Sequence, residues 1–173
     1  YIANLGDSRA YLFRGGTLSR ITKDHTYVNE LIDKGVITEE EAENHKQKNV
    51  ITRALGAEKS VEPDFYRLDV SRNDILLLCS DGLYGEVAPE KIAEILAGEG
   101  NMNDICTQLV DEAIRCGGRD NIIKQLSMLD GFTGYAYLKT DTLAISSGYF
   151  LSLQPAKIVP FIQNLSQQGI VGI

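Results

Sequence analysis

The sequence has no tryptophan, three cysteines, two histidines and four prolines in 173 residues. Cys79, Cys106 and Cys116 are odd in number and form no C-x-x-C pair, which excludes a disulfide framework and a thiolate zinc site and fits a reducing, cytoplasmic setting. The scarcity of proline, with 43% hydrophobic and 24% charged residues, excludes the low-complexity and disordered classes. Basic charge is short as well. Seventeen Lys and Arg against 24 Asp and Glu leave a net charge of −7, the wrong sign for a nucleic acid or an anionic membrane as partner. Long hydrophobic runs are missing too. The uncharged stretch between Asp141 and Lys157 is broken by Ser146, Ser147, Gly148 and Gln154, whereas a bilayer span needs about 20 apolar residues. No basic segment followed by an apolar one precedes the strand-like run at Tyr1, so the chain is expected to begin inside a domain.

What is present reads as one domain-sized chain able to bury its own core. Tyr1–Gly6 and Ala10–Phe13 are short apolar runs, and Arg14-Gly15-Gly16 is a hairpin turn before Thr17–Ile21, because paired glycines supply positive φ. Thr26–Lys34 has helical spacing and stops at Gly35; Thr38-Glu39-Glu40-Glu41 is a capping box opening a short acidic helix. Phe65–Val70 and Ile75–Cys79 read as strands, the second apolar throughout and therefore predicted to be buried on both faces. Pro89–Leu96 and Asp104–Cys116 carry apolar stripes, the second through Ile105, Leu109, Val110, Ala113 and Ile114. Met128–Ile173 carries only Asp130, Lys139, Asp141 and Lys157 as charges. It is read as a tail of different character, with strands at Thr142–Ile145 and Tyr149–Leu153 and a helix over Pro155–Gln168.

Three aspartates stand at element ends: Asp7 in Gly6-Asp7-Ser8, Asp81 in Ser80-Asp81-Gly82 after the apolar strand, and Asp120 in Gly117-Gly118-Arg119-Asp120-Asn121. Singly, each is an ordinary turn or cap residue. Projected into one cleft they would repel one another unless a divalent cation neutralised them, and hard carboxylate oxygens suit Mg²⁺ or Mn²⁺.

Gly6-Asp7-Ser8-Arg9-Ala10-Tyr11, Thr22-Lys23-Asp24-His25, Ile51-Thr52-Arg53-Ala54-Leu55-Gly56, Leu76-Leu77-Leu78-Cys79-Ser80-Asp81-Gly82-Leu83 and Gly117-Gly118-Arg119-Asp120-Asn121-Ile122 follow one another in an order that resembles the metal-dependent type-2C serine/threonine protein phosphatases of bacteria. The resemblance covers about residues 1–123 and corresponds to the second half of the family's domain. It implies an α+β fold, part of an α/β/β/α sandwich, over residues 1–127, with 128–173 as a separate αβ tail. It also implies that Asp81 and Asp120 ligate metal, that Asp7 serves a third, weaker ion, and that no catalytic side chain acts beyond these ligands. The cofactor implied is Mg²⁺ or Mn²⁺, two or three ions in a complete domain. The reaction implied is hydrolysis of phosphoserine and phosphothreonine in proteins phosphorylated by a serine/threonine kinase. The family's Asp-Gly-His/Met-Gly-Gly loop and phosphate-binding Arg have no counterpart here, so this chain alone is expected to be inactive; the alternative is a non-catalytic remnant or fusion module in binding or regulation. After Asn121 the similarity ends, and Leu143–Ile173 resembles the N-terminal domain of purine-catabolism-type bacterial transcription regulators.

Other residues read more simply. Arg53 and Arg119 are the cations placed to approach a phosphate, with surface ion pairing as their default. His25 beside Asp24 is read as structural, His45 as a solvated helix end, Glu39–Glu43 as a solvated helix face, and Cys79 as a small core hydrophobe. None of the three cysteines is followed six residues on by arginine, which excludes a cysteine-phosphatase loop.

Overall fold

Paired glycines, a capping box and one unbroken apolar run govern the local structure. The computed structural model describes residues 1–54, 60–118, 124–129 and 150–151. These fall into two compact units. One takes Tyr1–Asp7 and Lys23–Arg67 with a short strand at Phe150–Leu151; the other takes Ser8–Thr22 and the chain from Leu68 through a strand ending at Leu129.

In the first unit, strand β1 (Ile2–Asn4) lies between β4 (Asp64–Tyr66) and β7 (Phe150–Leu151), antiparallel to both. Helix α1 (Tyr27–Asp33) starts where the Thr26 side chain accepts from the Asn29 amide, and Gly35 follows its end with φ of 67°. Helix α2 (Glu39–Glu43) has both halves of its capping box: Glu41 N–H donates to Thr38 Oγ1 at 3.2 Å and Thr38 N–H to Glu41 Oε2 at 2.8 Å. The strand predicted over Phe65–Val70 is only three residues long. Its partner β1 has just three residues to offer, and pairing ends opposite Ile2.

The second unit is a four-stranded antiparallel sheet in the order β3-β2-β5-β6, formed by β2 (Arg9–Arg14), β3 (Thr17–Arg20), β5 (Asp74–Cys79) and β6 (Lys124–Leu129). Gly15 and Gly16 turn between β2 and β3 with φ of 56° and 82°. Every residue of β5 is buried. On one face Tyr11, Phe13, Ile75, Leu77 and Cys79 meet residues of α3 (Asp81–Tyr84), α4 (Pro89–Leu96) and α5 (Met102–Cys116). On the other face Ala10, Leu12, Leu76 and Leu78 are buried too, as the sequence pattern requires. Helix α5 begins two residues earlier than its apolar spacing implies, because Asn101 Oδ1 caps the amides of Asn103 and Asp104. Ile105, Leu109 and Ala113 form its buried stripe, whereas Ile114 is exposed.

The exposed faces follow the sequence. The glutamates of α2 are solvent-facing, and only Ala42 is buried. His45 is less exposed than a solvated end, with its ring 6.1 Å from that of Tyr27. No helix among the described residues is long and apolar enough to cross a membrane. The strand and helix predicted over Thr142–Ile145 and Pro155–Gln168 lie outside the described residues, and β7 occupies part of Tyr149–Leu153.

One buried charge ties the second unit together. Asp74 is 1% exposed; Arg14 donates from Nε to its Oδ1 at 2.8 Å and from Nη2 to its Oδ2 at 2.5 Å, and the Ser71 amide donates to Oδ2 at 2.7 Å. The Arg14 hydrogen bond, helped by the Ser71 amide and the Arg14 charge, outweighs burial and holds this carboxyl below its usual value. A carboxyl depressed in the folded state adds stability above its unfolded pKa, about 3.9, and loses it as pH falls through the folded value. Denaturant stability is therefore expected to fall below about pH 4. Asp74→Ala is expected to remove part of that acid limb and to lower stability at neutral pH by about 1–2 kcal/mol, since the half-exposed Arg14 and the Ser71 amide lose a buried charged acceptor but can turn to water.

Candidate metal site

The Asp7 side begins at the end of β1. Asn4, 1% exposed, donates from Nδ2 to the Lys23 carbonyl at 2.9 Å, and the chain then turns at Gly6, whose φ of 104° suits glycine. Asp7 follows, half-buried. Beneath the turn lies His25, 6% exposed. Its amide donates to the Gly6 carbonyl at 2.8 Å, and its Nδ1 accepts from the Gly6 amide at 3.1 Å. Its Nε2 lies 3.1 Å from Asp64 Oδ2, and Arg53 Nη1 donates to Asp64 Oδ1 at 3.1 Å. Burial pushes the Asp64 carboxyl up, but hydrogen bonds from His25 and Arg53 together with the Arg53 charge outweigh it and hold the group below the usual carboxylate range.

On the Asp81 side, the buried strand β5 delivers the chain through Ser80 directly into the first turn of α3. The Leu83 amide donates to the Ser80 carbonyl at 3.1 Å and the Gly85 amide to the Asp81 carbonyl at 2.7 Å. A Cβ on residue 85 would stand 2.7 Å from that carbonyl oxygen, so the turn closes this tightly only around glycine. Arg9 stands opposite Cys79 in the β2–β5 register, and its guanidinium lies 3.5 Å from the centre of the Tyr84 ring. This cation–π contact joins α3 to β2 next to Asp81. Asp81 itself is half-buried.

The chain matches the family model described as protein phosphatase 2C over residues 1–122. It belongs to the protein phosphatase 2C family. Its sequence is 42% identical over 121 residues to the serine/threonine phosphatase Stp of Listeria welshimeri, covering 70% of this chain and 48% of that protein. Among solved structures it is similar to the S. agalactiae serine/threonine phosphatase, with a TM-score of 0.70 and 39% identity over 73% of this chain and 53% of the other. It is similar as well to the catalytic domain of the serine/threonine protein phosphatase PstP in complex with 2 manganese ions, with a TM-score of 0.61 and 40% identity over 72% and 50%. The phosphatase 2C chain thus spans about half the length of these relatives, and the extent of the family match agrees with the reach of the sequence motifs.

The phosphatase 2C candidates are placed as follows. Asp7 belongs to the first unit and Asp81 to the second, while Asp120 and Arg119 lie outside the described residues. Among the described residues no three His, Cys, Asp or Glu side chains converge to hold a metal ion. In kind the donors fit a hard divalent cation, being half-buried carboxylates in the turn between β1 and β2 and in the first turn of a helix. Arg53, considered for phosphate contact, is ion-paired with Asp64. It also lines an open cavity of about 380 Å³ together with Glu30 and Glu62, whose charges oppose an anion. The carboxylate at the His25 ring is Asp64, not its neighbour Asp24. No sequence signal links residues 39 apart, and the Arg9–Tyr84 contact was equally invisible.

Proposed function

We propose that this chain supplies the carboxylates of Asp7, Asp81 and Asp120 to a phosphatase 2C domain that hydrolyses phosphoserine and phosphothreonine in proteins, and that by itself it binds the cation weakly and is inactive. The observation that carries the reading is the setting of Asp81: a carboxylate at the end of a fully buried strand, braced by the Gly85 closure and by Arg9 on Tyr84, inside a sequence that matches this family. Asp81 and Asp120 would hold the principal ions, Mg²⁺ or Mn²⁺, and Asp7 a further one. When bound, such a cation neutralises phosphoryl charge and lowers the pKa of water. The substrates would be products of a serine/threonine kinase in the cytoplasm.

The test joins this chain in frame to the complementary first half of the Listeria welshimeri relative. A chromogenic phosphoester with Mn²⁺ is expected to show no turnover above blank with the 173-residue chain and metal-dependent turnover with the chimera. A folded chimera that binds Mn²⁺ yet hydrolyses nothing would favour the second reading, a non-catalytic binding or regulatory module.

A further inference from the structure

We propose that His25 is a positioning residue for Asp7: its ring and its main chain grip Gly6 from both sides, and Asp64 with Arg53 fixes the ring in the orientation that does so. This rests on the reading of Asp7 as a metal ligand. The grip consists of two hydrogen bonds on one glycine. The Gly6 amide donates to His25 Nδ1 at 3.1 Å, and the His25 amide donates to the Gly6 carbonyl at 2.8 Å. The Thr52 amide donates to the His25 carbonyl at 2.8 Å, which holds the histidine's own main chain.

The hydrogen bonds settle the ring's tautomer. Nδ1 accepts from an amide, so it carries no hydrogen, and Nε2 carries the hydrogen aimed at Asp64 Oδ2, 3.1 Å away. Arg53 Nη1 stands 3.4 Å from Nε2. Both nitrogens bear hydrogen, so that approach is not a bond, and the Arg53 hydrogen bond goes to Asp64 Oδ1. Asp64 is itself fixed on β4, opposite Asn4 of β1 in the register. A carboxylate behind a histidine is the arrangement that orients ligands at metal centres. Here the histidine orients the peptide that leads into a ligand. Gly6, at φ of 104°, is otherwise the residue in this turn with the most conformational freedom. A metal ligand must be held to within about 0.5 Å.

The test uses the ¹⁵N-labelled 173-residue chain titrated with Mn²⁺, read by NMR. In the wild type a bare Nδ1, a slowly exchanging Gly6 amide and paramagnetic broadening at Gly6, Asp7 and Ser8 are expected. His25→Ala is expected to speed Gly6 amide exchange and to raise the Mn²⁺ concentration for broadening at Asp7 by about tenfold or more, as loss of an outer partner does. His25→Asn, whose Oδ1 can replace Nδ1 as acceptor, is expected to keep most of both; His25→Gln, which can replace only Nε2, is expected to keep neither.

A wild-type Mn²⁺ response in His25→Ala with a released Gly6 amide would overturn the positioning role. Equal behaviour of His25→Asn and His25→Gln would do the same, and that pair decides alone should His25→Ala fail to fold. Broadening absent at Asp7 in the wild type would overturn the ligand reading itself, and this proposal with it.

Discussion

Leu77→Ala is expected to lower the free energy of unfolding by about 3–5 kcal/mol, the cost of emptying a core site that cannot collapse. Leu77 is 0% exposed, in β5 between β2 and β6. Its side chain belongs to the cluster formed with Leu83, Ile92, Ile105 and Leu109 from three helices. A loss of that size is a large share of a domain's total of about 5–15 kcal/mol. Urea unfolding, with Ile114→Ala as control, measures it. Ile114 is 59% exposed on α5, and its truncation is expected to stay within about 0.5 kcal/mol. Equal effects at the two positions would mean that the apolar cluster over β5 is not the core of this unit. The consequence reaches the candidate site, because the same strand leads through Ser80 into Asp81 at the start of α3.

Features set by near neighbours in the chain were legible in the sequence. The Ile-Leu-Leu-Leu-Cys run of β5 has no polar position, so both faces had to be covered, and they are. The Thr38–Glu41 capping box and the Gly15-Gly16 turn are chemistry within four residues, and both form. The strand-like pattern of Phe65–Val70 runs past the strand itself because strand length depends on the partner, and β1 pairs with only three residues. Helix α3, with four residues, is too short to show a period in the sequence. Ile114 fits an apolar stripe on paper, yet the buried line runs Ile105, Leu109, Ala113, and Ile114 falls outside it. Strand β6 pairs along the whole of β5 despite Lys124, Gln125 and Ser127. The three aspartates were found as residues at element ends, but the brace behind each described one was not. His25 with Asp64 and Arg9 with Tyr84 join residues that only the folded chain brings together.

Asp81→Asn tests the function where the sequence motif and the structure meet. Asparagine keeps the size of the side chain and removes the charge that a hard cation selects. Outer partners of metal ligands already cost about 10–100-fold in affinity or activity, so loss of the ligand itself is expected to lower turnover of the chimera by about a hundredfold or more and to raise its Mn²⁺ requirement. The fold should survive. Asp81 lies in the first turn of α3, where a negative charge near the helix N-terminus contributes about 0.3–1 kcal/mol, and the bonds that close the turn come from the Asp81 carbonyl and the Gly85 amide. These groups remain in asparagine, and Arg9 still has the Tyr84 ring to stack on. Asp7→Asn, at the weaker ion, is expected to raise the Mn²⁺ requirement with a smaller loss of turnover. The ordering is the discriminating result. A chimera in which Asp81→Asn retains full Mn²⁺-dependent turnover while Asp7→Asn abolishes it would move the principal metal away from the end of β5, and with it the chemistry assigned to this part of the fold.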